Sequence, residues 1–199
     1  MTKEKKESRI LKLITESALI IFSVLLALII SEWRNNYNQK LQTEKIISNI
    51  KEEIIENQKF IQTVIPYHEE VNKKIGMVGK TDSIPNQLFM EIITEAAPKG
   101  IFQGSFKDIA WTVANTGQIS NRITLKKSTI LYEVYEQQKG VNSTIQRTYD
   151  FLTSREVHRK ELLDENVTVF KLLFNELTTQ EKQLNYFYQN AIETLNENE

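Results

Sequence analysis

Two histidines are the first residues to test for chemistry in this chain. His68 stands in "YHEEV" beside Glu69 and Glu70. A metalloprotease helix needs a second histidine four residues on, so that both imidazoles reach one zinc, but position 72 is Asn. A metal set built from His68, Glu69 and His158 would depend entirely on the fold bringing them together, and the spacing reads more simply as charge on a helix surface. The chain has no cysteine, which excludes disulfides, thiolate metal sites and thiol nucleophiles. "GMVGK" at 76–80 and "NTGQ" at 115–118 lack the Gly-Lys-Ser/Thr run of a phosphate loop. Lys and Glu recur at helical spacing and read as a solvated face with i,i+4 support rather than as acid–base machinery. No catalytic residue, metal or cofactor is expected, and the chain reads as a non-enzyme.

Aromatic residues offer the other candidate. "DIAWTVANTGQIS" at 108–120 places Trp111 inside a short helix, with Phe106 just ahead of it. Aromatic side chains dominate both cores and binding hot spots. The two readings for Phe106 and Trp111 are core filling and partner contact, and core filling is the expectation.

The elements that hold these residues follow from the apolar pattern. Residues 10–30, "ILKLITESALIIFSVLLALII", contain only Lys12 and Glu16 as charged residues. A bilayer core of about 30 Å takes roughly 20 helical residues, so a transmembrane helix is expected over 10–31. Trp33 and Tyr37, one turn apart past the apolar end, suit an interfacial belt together with Arg34, while Lys12 snorkels at the other end. Glu16 lies four residues after Lys12, where an ion pair or head-group water would satisfy it; the other reading is an ion-pathway role inside the membrane. A cleaved signal would need small residues in A-x-A spacing, and neither Ala27/Ile29 nor Ile29/Ser31 provides it. Residues 1–12 carry five Lys or Arg against three in 32–46, which favours a cytoplasmic N-terminus and a 1–9 basic tail on that side.

Beyond the span, Ile47, Ile50, Ile54, Asn57, Ile61 and Val64 alternate steps of three and four, a heptad-like seam. Ile46, Ile55, Phe60 and Ile65 widen it into a bundle face. With no breaker between Ile30 and Ile65, the spanning helix should continue as a stalk over 32–65 and end or kink at Pro66. A second short helix is expected through Ile75, then a turn at "KTDSIPNQ", and a helix opened by Pro85 carrying Leu88, Phe89, Ile92 and Ile93. Ser105 with Asp108 predicts a helix start and Gly117 its cap, with Phe106, Ile109, Ala110 and Val113 on one side and Trp111 beside them. Leu125 opens a long helix with a seam through Leu131, Val134, Gln138, Val141, Ile145, Thr148 and Leu152. Gly140 inside it costs about 1 kcal/mol relative to Ala. The last third is helical, and Thr178 with Glu181 forms a capping-box pattern that predicts a restart.

Six Gly and three Pro in 199 residues argue against a turn-rich β fold. The expected class is all-α: a transmembrane helix continuing into a helical bundle, 66–199, with coiled-coil-like packing. A net charge of −1 offers no basic field for nucleic acid. The stretches "LIIFSVLLALIISEWRNN", "IKEEIIENQ", "AWTVANTGQIS" and "LYEVYEQQ" together resemble an uncharacterised family of single-span proteins, a domain of unknown function common in Bacteroidota. The resemblance implies a bacterial inner-membrane protein and transfers no activity or site residue. The expected partners are the lipid bilayer and a protein partner or a second copy, and the expected role is an interaction, scaffold or accessory component with the C-terminal part periplasmic. The alternative is a periplasmic small-molecule sensor; nine residues before the span hold no output domain, so its signal would pass through a membrane partner.

Overall fold

The computed structural model describes residues 3–78, 88–101 and 104–197, with side chains from residue 12 onward. Among the described residues every regular element is helical: α1 (Lys3–Met77), α2 (Phe89–Ala96), α3 (Ile109–Thr116), α4 (Leu125–Leu152) and α5 (Leu163–Asn196), with short 3₁₀ turns at Ile119–Asn121, Glu156–His158 and Lys160–Leu162. The all-α expectation holds. The expected turn at "KTDSIPNQ", the helix start at Pro85 and the side chains of Lys3, Lys5, Lys6 and Arg9 lie outside the described residues. The chain divides into two compact units, Met1–Lys45 and Ile46–Glu199.

In the first unit the helix has no protein against its apolar residues. Leu19, Ile20, Ile21, Phe22, Leu28 and Ile29 are each 60% or more exposed. Lys12 reaches Glu16 at 4.0 Å. Ser23 donates to the carbonyl of Leu19 at 2.7 Å, keeping its hydroxyl satisfied within the helix. Trp33 stacks on Tyr37 with ring centroids 6.2 Å apart, and both rings are exposed.

The second unit is a three-helix bundle, and its polar contacts give the directions. Gln62 meets Asn185 and Asn72 meets Asn175, so α5 runs antiparallel to α1. Lys126 meets Glu197 and Arg147 meets Glu176, so α5 is antiparallel to α4 as well. Glu53 meets Tyr135 and Asn57 meets Gln138, which sets α4 parallel to α1. A parallel pair needs a crossover, and α2, α3 and the segment between them supply it. The α1 seam is buried at Ile50, Ile54, Asn57, Ile61 and Val64, while Ile47, its first residue, is half-buried. In α4 the buried line is Leu131, Val134, Tyr135, Gln138, Val141, Thr144 and Thr148, while Ile145 and Leu152 sit half-buried at its edge. Phe89 of α2 meets Phe151 and Phe170 edge-on at 5.8 and 6.1 Å, closing one end of the core.

Two expected breaks are absent. The helix does not end at Pro66 but runs on to Met77, so no separate short helix precedes Ile75. Pro66 is exposed, and so is Gln62, whose carbonyl loses its donor, so water can serve that carbonyl. Burial of Val64, His68, Val71 and Ile75 then holds the following turns in helix. Nor does α5 restart at Thr178: the helix is continuous, Thr178 donates to the Asn175 carbonyl, and Glu181 is buried.

Gly140 meets no neighbouring heavy atom within 4 Å of a built Cβ, and its φ is not positive. Nothing packs close enough to require glycine. Gly140→Ala is therefore expected to stabilise the bundle by about 0.4–1 kcal/mol, read as a raised melting temperature. A lowered melting temperature would mean that the space beside Gly140 is occupied in solution.

Candidate functional site

The crossover is held by polar side chains that point inward from helix faces. From Ala97 to Trp111 the described residues run back along α1. Tyr67 accepts from the Lys99 amide at 3.0 Å and donates to the Gly100 carbonyl at 2.9 Å. His68, only 3% exposed, bonds the Ile101 carbonyl through Nε2 at 2.9 Å. At Gly104 a Cβ would come within 3.0 Å of the Phe60 ring, so glycine is what lets the backbone lie against it. Asn57 then clamps Lys107 on both backbone groups, donating to its carbonyl at 2.7 Å and accepting from its amide at 2.8 Å. Gln138 of α4 donates to the same carbonyl at 3.1 Å and accepts from Tyr188 of α5 at 2.7 Å. One backbone residue of the crossover thus ties together all three long helices.

Glu53 completes the clasp. Its carboxylate accepts from the amides of Ala110 at 2.8 Å and Trp111 at 3.3 Å, and from the Tyr135 hydroxyl at 2.7 Å. The first amides of a helix have no intrahelical partner, and the Asp108 side chain does not cap them. A carboxylate from α1 does so instead, complementing the positive end of α3. Burial, and then the neighbouring Glu53 carboxylate, raises the Tyr135 hydroxyl well above the usual tyrosine range. Burial likewise raises Tyr188, with the Glu53 charge adding to it.

This clasp overrides the expected helix start and face. The helix begins after Asp108, not at Ser105, and its buried residues are Trp111 and Ala114. Ile109 and Val113, expected on one side with Phe106 and Ala110, are 71% and 65% exposed. Gly117 does cap the helix, while the left-handed residue is Gln118, at φ 55°. Trp111 lies in the core, its ring 5.0 Å from Tyr135 and within 4° of parallel. Phe106 is half-buried, edge-on to Phe60 at 5.5 Å. Lys12, Trp33, Arg34 and Tyr37 belong to the first unit and lie on its exposed helix surface.

His68, Glu69 and His158 do not come together. His68 is inside the bundle, where Nδ1 meets both carboxylate oxygens of Glu181 at 2.9 and 3.0 Å. Glu69 is exposed and pairs with Lys182 at 2.6 Å, and exposed His158 ends a 3₁₀ turn whose Val157 is buried. Among the described residues no group of three or more His, Cys, Asp or Glu could hold a metal ion. The surface reading of His68 is thus corrected: a carbonyl and a carboxylate satisfy both ring nitrogens in the core.

A groove of about 410 Å³ remains beside the clasp, between the Ile46–Glu56 stretch of α1 and α3. Ile46, Ile109 and Val113 give it apolar walls, and Glu52 and Glu56 line its α1 side. Lys107 bridges to Glu56 at 2.7 Å and holds that carboxyl below the usual range. Sequence spacing gave no sign of Glu53 or of this groove. Asn57 and Gln138 did carry a signal, because each is a polar residue in an otherwise apolar seam and must find a partner there. Comparison of the chain with protein families, with curated proteins and with solved structures finds no match in any of the three.

Proposed function

We propose that this chain is a membrane-anchored, non-enzymatic interaction protein: residues 10–31 cross the bilayer and the three-helix bundle works as a docking module outside the cytoplasm. One observation carries the anchor. The first helix is long and apolar enough to span, and none of its most apolar window is buried. A soluble core helix of that composition would be covered by protein, and apolar exposure on this scale needs either lipid or a partner. The exposed Trp33–Tyr37 pair past the apolar end and the ion-paired Glu16 at its start suit the two interfaces. The non-enzymatic part is supported by the use of the buried ionisable groups. Glu53, His68 and Glu181 are each consumed by partners within the fold.

Fractionation tests the anchor and a reporter tests its direction. The chain is expected to stay in the membrane pellet through alkaline carbonate and to leave it only with detergent. A reporter fused after Glu199 that works only outside the cytoplasm should be active, and one that works only inside should be silent. Reversing Lys3, Lys5, Lys6 and Arg9 to Glu should mix the two orientations. Carbonate extraction into the supernatant would refute the anchor, and an active cytoplasmic reporter would reverse the orientation.

A further inference from the structure

We infer that the groove between the Ile46–Glu56 stretch of α1 and α3 receives a basic amphipathic helix from another protein, an assignment that rests on the interaction reading above. The rotation of α3 sets the lining of the groove. Ile109 and Val113 lie on the side of the helix opposite Trp111, so burying either side leaves the other in water. The Glu53 carboxylate fixes the Ala110 and Trp111 amides and commits Trp111 and Ala114 to the core. Ile109 and Val113, four residues apart, are left as an exposed ridge along the groove. Leaving two β-branched side chains in water forgoes burial that a partner helix would recover, ridge against groove.

Charge decides which partner. Glu52, Glu53 and Glu56 line the α1 side, and Lys107 is the single cation on the lining, already paired with Glu56. The groove therefore carries an excess of negative charge beside apolar walls. A second copy seated by two-fold symmetry would return the same carboxylates to the groove, so like charges would meet. A helix with aliphatic residues at i, i+3 or i+4 and a Lys or Arg one turn away fits both features: its apolar side meets Ile46, Ile109 and Val113, and its cation meets Glu52.

The absence of cysteine makes a clean test. The full chain carrying Thr112→Cys, an exposed α3 position, is labelled there with an environment-sensitive dye in phosphatidylcholine nanodiscs. It is titrated with a helical Leu/Lys peptide, with the same peptide bearing Glu for Lys, and with one bearing Gln for Leu; empty nanodiscs serve as the blank. Saturable binding of the Leu/Lys peptide alone is expected, weakened about tenfold by Glu52→Lys and similarly by Val113→Asp. No saturable binding, equal binding of the Leu/Glu peptide, or indifference to both substitutions overturns the assignment. So does a disulfide-linked dimer of Val113→Cys in membranes, which would give the groove to a second copy. A protein that co-purifies equally with the parent and with Val113→Asp sinks the groove while leaving the interaction reading intact. A chain that never co-purifies with anything sinks that reading first.

Discussion

Trp111→Ala is expected to cost the bundle about 3–5 kcal/mol, a large share of a domain's total stability. The ring is buried against Tyr135 at 5.0 Å, and Tyr135 in turn donates to the carboxylate that holds α3. Removing the indole leaves a cavity where α1, α3 and α4 meet. At roughly 2–4 °C per kcal/mol for a chain of this size, the melting temperature should fall by about 6–20 °C. Trp111→Phe keeps a ring over Tyr135 and should lose much less. Any partner binding should fail only to the extent that the fold fails. A variant that melts like the parent would show that Trp111 contributes no packing, and a partner lost from that stable variant would make the ring a contact.

Breaking the His68–Glu181 pair from one side should cost about as much, roughly 3–5 kcal/mol, because a buried ionisable group is left without its partner. Glu181→Ala strands Nδ1 of His68, while His68→Ala strands the carboxylate and also the Ile101 carbonyl that Nε2 serves. The carbonyl can only accept, so Nε2 carries a hydrogen. Removing both partners together, as His68→Ala with Glu181→Ala, should cost less than the two single changes combined, since neither leaves the other without its partner. Thermal melting of the four chains closes the cycle. Additive losses would mean that the two residues act independently and that their short contact carries no coupling.

This pair also fixes geometry. One link fixes the register of α5 against α1, and the other holds the crossover at Ile101. Buried polar groups often set register at little net gain in stability. The same logic covers Asn57 and Gln138, which bind the Lys107 backbone in place of the aliphatic side chains that their seam positions suggest.

The sequence by itself determined the helical class and the inward seams of the long helices, because helical periodicity and composition are local. The apolar run from residue 10, the seam from Ile50 to Val64, the start of α4 at Leu125 and the cap at Gly117 all follow from neighbours within a turn or two. The breaks expected at Pro66 and Thr178 also came from local rules, and there tertiary burial of the flanking residues outweighed them. Only the tertiary structure decided how the crossover lies. Glu53 finds α3 57 and 58 residues later in the chain, and His68 finds Glu181 113 residues later. No spacing rule links such positions. The His68 pairing follows from the antiparallel setting of α5 against α1, and the Glu53 pairing from the parallel setting of α1 and α4, which forces a connecting segment back along the bundle and obliges its backbone groups to be satisfied there. That obligation turned Trp111 inward, left Ile109 and Val113 in water and opened the groove, so the candidate site is a consequence of topology that no stretch of the sequence encodes alone.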